Sequence, residues 1–187
     1  MKILAISPTR ELATQISVQA EALLTHHKRT YGFSCQVVYG CTNIRTDISK
    51  FNRAMPTIIV ATPGRLKDHL QNTVLSSGRK FADCMNDLEV LVLDEADQLL
   101  EMGFRPDIRT IVSFLPAIRV RQTLLFSATM PDSITRLANT FLSKPVRVEV
   151  DRQSTTVERI HGQTNGRDER TYEDRKARQR CNHERGA

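Results

Sequence analysis

The sequence predicts an α/β domain built on a parallel β-sheet, and three observations carry that prediction. Short runs rich in Val, Ile and Leu recur along the chain. Most of these runs are continuously apolar, which is typical of strands covered on both faces and therefore of parallel sheets. Segments with helical spacing lie between the runs and are joined to them by short loops. The predicted strands are Ile3–Ile6, Gln36–Tyr39, Thr57–Ala61, Val90–Leu93, Thr123–Phe126 and Val146–Val150.

Two of the intervening helices have clear sequence signals. After Pro8, the apolar residues Leu12, Ile16 and Leu23 lie near helical spacing. After Pro131, apolar residues repeat at i, i+3, i+4, i+7 and i+8, which predicts an amphipathic helix with Pro131 in its first turn. This second stripe consists of Ile134, Leu137, Ala138, Phe141 and Leu142, and Pro145 follows it.

Composition indicates a basic protein with one globular domain. The chain has 187 residues, a net charge of +6 and 40% hydrophobic residues, which favours polyanionic partners and allows a substantial core. Four cysteines without CxxC or metal-ligand spacing indicate reduced thiols and an intracellular location. No apolar run approaches the roughly 20 residues of a membrane span, so no membrane partner is expected.

A change in composition near Ile160 divides the chain. We predict one domain over residues 1–160 and a charged, disordered tail over residues 161–187, where sizeable apolar side chains are almost absent. A basic RNA-binding arm is the alternative for the tail. The near balance of acidic and basic residues there favours a solvated tail.

Two similar motifs follow the first and third predicted strands, at the end of an open α/β sheet where ligands bind. Pro8-Thr9-Arg10 and Thr62-Pro63-Gly64-Arg65 each combine a hydroxyl, a proline and a guanidinium at the start of a helix. A new helix presents free N–H groups and partial positive charge, which suits phosphate. An ordinary helix start or turn is the alternative, and the repetition of the pattern favours phosphate binding.

Acidic and hydroxyl residues follow the next two strands. In Asp94-Glu95-Ala96-Asp97, Asp94 is suited to holding Mg²⁺ through water, and Glu95 to orienting or deprotonating an attacking water. Ser127 and Thr129 could then hydrogen-bond the carboxylate of Asp97 or Glu95. An acidic helix N-terminus and a hydroxyl-rich turn are the alternatives without function.

These four motifs, in this order and spacing, resemble the first RecA-like domain of DEAD-box ATP-dependent RNA helicases. The resemblance covers about Met1 to Ile160 and includes the longer stretch from Asp94 to Phe104. It implies a RecA-like parallel sheet flanked by helices, ATP and Mg²⁺ as cofactors, and a monomer that binds single-stranded or duplex RNA without sequence preference. The implied catalytic residues are Asp94, Glu95, Asp97, Ser127 and Thr129, and the implied RNA-binding residues are Pro8, Thr9, Arg10, Gly40, Thr62, Pro63, Gly64 and Arg65.

The sequence departs from the family pattern in four places. Gly40-Cys41 stands where the family has a glycine pair, so a side chain at position 41 is expected to crowd the approach of RNA. The adenine-reading segment and the glycine-rich phosphate loop are absent, so the chain is expected to be a partial domain of the P-loop NTPase class. The second RecA-like domain is absent with its arginines, and the tail after Ile160 does not match. Truncation of the gene model and a genuine short product both remain open.

Three functional hypotheses follow. The first is an ATP-dependent RNA helicase, with this chain alone neither hydrolysing ATP measurably nor unwinding duplexes because the phosphate cradle is missing. The second is a non-catalytic RNA-binding or competitor fragment of a helicase. The third is a helicase relative that acts on DNA, and the amino-acid sequences of the motifs disfavour it. The compartment stays open among nucleus, cytoplasm and organelle.

Overall fold

The structure, a computed structural model, describes residues 1–149 of the chain, and the side chains of residues 26–31 are not described. Five parallel strands form one sheet in the order β2-β3-β1-β4-β5. The strands are β1 (Ile3–Ile6), β2 (Cys35–Val38), β3 (Ile58–Ala61), β4 (Val90–Leu93) and β5 (Gln122–Leu125). The helices are α1 (Arg10–Tyr31), α2 (Ile44–Arg53), α3 (Pro63–Asn72), α4 (Ala96–Glu101), α5 (Arg105–Ser113) and α6 (Asp132–Phe141), with a 3₁₀ helix at Phe81–Met85.

Five of the six predicted strands are confirmed, each to within one residue at either end. The sixth prediction, Val146–Val150, is wrong for its described residues, 146–149, which are not in a strand. Val146 and Val148 are 86% and 81% exposed. An apolar run forms a buried strand only where a neighbouring strand supplies hydrogen bonds and a second layer covers its side chains, and nothing within residues 1–149 supplies either to this run.

One face of the sheet carries the main hydrophobic core. Side chains of β1, β3 and β4 that point to this face pack against helices α2, α3, α5 and α6 and against the 3₁₀ helix. This core includes Leu4, Ile59, Leu91, Phe81 and Ile108, all fully buried.

The opposite face carries a smaller cluster. Ala13 of α1 packs there against Ala5 of β1 and Val60 of β3. The small alanine side chains allow α1 to lie close to the sheet. No helix in the described part of the chain is both long and apolar enough to cross a bilayer.

The helix predictions are confirmed with two corrections. In α6, Ile134, Leu137 and Phe141 are buried as the stripe predicted. Pro131 is the N-cap of α6, one position before the first helical turn. Leu23 of α1 is 78% exposed, because the buried side of this helix follows Ala13 and Ser17 instead.

The parallel register aligns the carboxyl ends of all five strands. Ile6 of β1 lies opposite Ala61 of β3 on one side and Leu93 of β4 on the other. Val38 of β2 lies opposite Ala61, and Leu125 of β5 opposite Leu93. Every loop that leaves a strand at this edge therefore begins at the same height, and we call these five loops the carboxyl rim.

Candidate functional site

All the residues predicted to form a site lie on the carboxyl rim. The strand order gives them a fixed sequence along it: Gly40 after β2, Thr62–Arg65 after β3, Pro8–Arg10 after β1, Asp94–Asp97 after β4 and Ser127–Thr129 after β5. Neighbouring strands are about 4.8 Å apart, so the polar residues of neighbouring loops lie close together along the rim. The motifs predicted to bind RNA occupy three adjacent strands, and the acidic and hydroxyl motifs occupy the other two.

Backbone hydrogen bonds continue past the strands and fix the first residue of several loops. The amide of Ser7 donates to the carbonyl of Ala61 at 3.0 Å, and the amide of Thr62 donates to Val38 at 3.1 Å. The amide of Asp94 donates to Ile6 at 2.9 Å. The side chains that follow are thus placed by the sheet itself.

At the end of β1, Thr9 begins helix α1. Its Oγ1 accepts a hydrogen bond from the amide of Leu12 at 3.2 Å, the geometry of an N-cap. Pro8 is buried and Arg10 is exposed at the start of the helix. The hydroxyl oxygen of Thr9 therefore has a structural task, while the Arg10 side chain extends into solvent beside the free N–H groups of the first turn.

At the end of β3, the second motif starts helix α3. Thr62 is its N-cap residue without a side-chain capping bond, and Pro63 follows at the first helical position, where a missing N–H is tolerated. Gly64 is exposed, whereas Arg65 is only 9% exposed. The predicted direct contact between Arg65 and RNA remains a prediction, because in this structure its guanidinium points into the protein.

After β2, Gly40 and Cys41 lie in a turn. Cys41 adopts a left-handed backbone with φ of 63°, a conformation that favours glycine. Gly40 has no such constraint, and a Cβ added there would meet no atom within 4 Å. The same is true of Gly64. The fold itself requires glycine at neither Gly40 nor Gly64.

A groove separates the loops after β2 and β3. It has a volume of about 410 Å³ and is lined by Gly40, Cys41, Thr42, Gly64 and Arg65 among others. Two predicted RNA-binding glycines, far apart in sequence, thus border the same groove. Their lack of side chains leaves backbone groups open to a ligand in it.

At the end of β4, the acidic motif has a strained backbone. Glu95 is the N-cap of α4 with φ of 47° and ψ of 55°, a left-handed conformation that is costly for a residue with a side chain. Oδ1 of Asp94 accepts a hydrogen bond from the Glu95 amide at 3.0 Å. Both side chains are partly exposed. A strained, accessible carboxylate at a strand end is a common property of functional sites.

The predicted contact between Asp97 and the hydroxyl motif is present. Oδ2 of Asp97 accepts hydrogen bonds from the hydroxyl and the amide of Thr129 at 2.8 and 3.0 Å. Ser127 makes hydrogen bonds with backbone groups. Its Oγ accepts from the Asp97 amide at 3.3 Å and donates to the Thr129 carbonyl at 2.7 Å. These bonds join the loops after β4 and β5, and Glu95 takes no part in them.

The pKa of Asp97 reflects this arrangement. Burial acts to raise the pKa, but hydrogen bonds from the Thr129 hydroxyl and from the amides of Gln98 and Thr129 lower it below its ordinary value of 3.8. Asp97 is therefore a carboxylate at neutral pH, and the coupling between the two loops is present in that state.

The residues fit a magnesium ion better than they fit a triphosphate. Magnesium keeps most of its waters and needs only one or two carboxylates, which Asp94 and Glu95 can supply. Within the described residues no group of three or more acidic, histidine or cysteine side chains could enclose a metal. None of the eight glycines is followed by lysine, so this chain lacks the loop that cradles phosphates.

Sequence reasoning missed two buried polar residues behind the rim. Asp47 of α2 and His69 of α3 are 6% and 0% exposed. The Asp47 carboxylate contacts Arg65, and His69 contacts the same carboxylate. The available signal was helical spacing: Asp47 lies four residues before Phe51, and His69 four residues after Arg65. Each therefore lies on the inward face of its helix, where a charged residue needs a partner.

The structure defines a parallel α/β domain whose polar loops gather at the edge of the sheet where open α/β sheets bind ligands. A family model described as DEAD/DEAH box helicase matches residues 1–137, and the chain belongs to this family. DEAD-box ATP-dependent RNA helicase 26 from Oryza sativa subsp. japonica is 45% identical over 139 residues, covering 74% of this chain and 24% of the relative. The ATP-dependent RNA helicase has1 from Aspergillus niger is 43% identical over 159 residues, covering 83% and 24%.

Solved structures agree with this assignment. The DEAD-box helicase Mss116 bound to ssRNA and UDP-BeF matches with a TM-score of 0.65 and 35% identity, covering 76% of this chain and 28% of that one. A DEAD box protein from the hyperthermophile Methanococcus jannaschii matches with a TM-score of 0.63 and 30% identity, covering 77% and 35%. The fold is therefore RecA-like α/β. The chain spans about a quarter of the length of the curated relatives.

Proposed function

We propose that this chain supplies the RNA-binding surface and the metal-directing acids of an ATP-dependent RNA helicase. The observation that carries the proposal is the division of the carboxyl rim. The loops after β2, β3 and β1 present glycines and a solvent-exposed arginine, whereas the loops after β4 and β5 present carboxylates and hydroxyls. A polyanionic strand and a metal-bound triphosphate need these two opposite chemistries.

The two glycines support RNA as the occupant of the first half of the rim. Glycine in a helix is less stable than alanine by up to about 1 kcal/mol. Gly64 lies in the first turn of α3 with no positive φ and no steric reason to lack a Cβ. Close approach of a ligand backbone gives such a residue a role. Contacts of this kind go to phosphate and sugar, so binding would be independent of base sequence.

The acidic half would act on ATP. Asp94 would hold Mg²⁺ through water, and Glu95, at the left-handed start of α4, would orient the attacking water. Asp97, which is hydrogen-bonded to Thr129, would transmit a conformational change in the loop after β4 to the loop after β5. When bound, Mg²⁺ would neutralise charge that develops on the transferred phosphate.

For this 187-residue chain alone we propose RNA binding without ATP hydrolysis. Phosphoryl transfer depends almost entirely on positioning and charge stabilisation, and no glycine-lysine loop is present to position the phosphates. Phosphate release by the purified chain should equal that of a protein-free blank, with and without single-stranded RNA. RNA-stimulated release that Glu95→Gln abolishes would contradict this.

The test of RNA binding is Gly64→Ala in the same chain. Replacing this glycine in the first turn of α3 should raise the free energy of unfolding by less than the roughly 1 kcal/mol expected in a helix interior. The added Cβ should weaken binding of a fluorescent single-stranded RNA about tenfold, equivalent to roughly 1.4 kcal/mol. Ser113→Ala, at the end of α5, is the control and should change neither quantity. A more stable variant with unchanged RNA affinity would exclude RNA from this groove.

A further inference from the structure

A cluster of buried polar side chains lies beneath the groove between the loops after β2 and β3. Nη1 of Arg65 lies 3.3 Å from Oδ2 of Asp47, and Nε2 of His69 lies 3.3 Å from the same oxygen. The Arg65 and Asp47 side chains are each 8% exposed, and that of His69 is fully buried. Nδ1 of His69 is 2.9 Å from the hydroxyl of Thr73.

The same guanidinium reaches the loop that follows β2. Nη2 of Arg65 donates to the backbone carbonyl of Thr42, and it lies 3.2 Å from the Thr42 hydroxyl. Helix α3 is thereby tied to helix α2 through Asp47 and to the loop through Thr42. Thr42 follows Cys41, which has a left-handed backbone, and Gly40 precedes both.

The chemistry of this cluster is unlike that of a phosphate contact. A guanidinium held by a buried carboxylate is already neutralised, and its two terminal nitrogens are both engaged. Buried ion pairs are poor devices for stability, since apolar side chains of the same size often stabilise as well or better. They do fix one arrangement of the chain segments that they join, and here those segments form both walls of the groove.

We propose that Asp47, Arg65 and His69 are positioning residues that hold the backbone of Gly40–Thr42 in the conformation that binds RNA. The inference rests on the proposed function of the groove. His69 holds the carboxylate of Asp47, Asp47 holds the guanidinium of Arg65, and Arg65 holds the Thr42 carbonyl. RNA then meets the backbone of Gly40 and Gly64, while the charge of Arg65 stays paired with Asp47 and releases no counterion.

Salt dependence distinguishes this role from a direct phosphate contact. Each phosphate neutralised on a single strand contributes about 0.7 to the slope of log affinity against log salt. We expect Arg65→Gln to weaken binding of fluorescent oligouridylate at every salt concentration and to leave the slope unchanged. Arg10→Gln, which alters an exposed arginine, serves as the comparison and should reduce the slope by about 0.7. A reduction of that size for Arg65→Gln would overturn the proposal.

A second measurement does not depend on RNA. Hydrogen exchange of the amides of residues 40–43 should become faster in Asp47→Asn, and remain at the wild-type rate in the control Asp87→Asn, which alters an exposed carboxylate. If wild-type chain binds no RNA, the proposed function fails, and this exchange still decides whether the cluster holds the loop. Unchanged exchange in Asp47→Asn would overturn the positioning role.

Arg65→Lys covers the case in which Asp47→Asn does not fold. Lysine keeps the positive charge beside Asp47 but is a point charge without the second arm that reaches Thr42. We expect faster exchange at residues 41–43 and weaker RNA binding at temperatures where the variant is fully folded. Wild-type exchange and affinity in Arg65→Lys would contradict the proposal.

Discussion

Individual residues on the carboxyl rim are held in conformations that their side chains do not favour. Cys41, Glu95 and Lys144 are the described non-glycine residues with positive φ, and the first two lie on the rim. Left-handed backbone costs roughly 1–2 kcal/mol for a residue with a Cβ. Strain at two of the five loops indicates that their geometry is set by something other than local stability.

Relief of this strain at position 41 is measurable. We expect Cys41→Gly to raise the free energy of unfolding by about 0.5–1 kcal/mol. Glycine removes the strain of the left-handed backbone in the folded protein, and this gain exceeds the extra conformational entropy that glycine loses on folding. Urea denaturation measures the change. Cys41→Ala keeps the Cβ and should differ from wild type by less than about 0.5 kcal/mol. Equal stabilisation by both variants would mean that the thiol, and not the backbone, is the source.

The pKa of Asp97 gives a second test at the residue level. Because the folded-state pKa is depressed, the stability from this carboxylate is complete above its unfolded value and is lost as pH falls through the folded value. Thr129→Val removes one of the hydrogen bonds and should raise the pKa of Asp97 in a carboxyl NMR titration. Thr135→Val, an exposed threonine on α6, should leave it unchanged.

At the level of elements, the amphipathic pattern predicted which helices pack on the sheet, but not in every case which of their apolar residues are buried. The stripe on α6 was predicted correctly because every turn of that helix faces the core. Leu23 of α1 fits the same pattern and is exposed, because the side of this helix that lies on the sheet follows Ala13 and Ser17 instead. The run Val146–Val150 has strand composition, but composition alone provides no neighbouring strand.

The two helices give a matched comparison. Ile134→Ala on α6 should lower the free energy of unfolding by about 2–5 kcal/mol, because it leaves a cavity among fully buried side chains. Val18→Ala on α1 removes methyl groups from a residue that is 55% exposed and should change the free energy of unfolding by less than about 0.5 kcal/mol. Thermal unfolding followed by circular dichroism measures both. Similar losses would show that α1 packs on both of its faces.

At the level of the whole molecule, the sequence predicted that the candidate site residues share one edge of the sheet, because each motif follows the end of a strand. Five continuous apolar runs, each followed by unusual residues, predict a shared edge in any parallel sheet. The order of the strands could not be read in this way, and it is the order that divides the rim into two halves. The inward contacts of Arg65 with Asp47 and Thr42 also required the fold, because they join residues 18 and 23 positions apart.

The division of the rim is tested most directly by NMR of the ¹⁵N-labelled chain during titration with single-stranded RNA. We expect amide shifts to change mainly at Arg10, Gly40 and Gly64, in the loops after β1, β2 and β3. Ala128 and the other residues of the loop after β5 should change little. Shifts centred on the loops after β4 and β5, or on the opposite edge of the sheet, would contradict it.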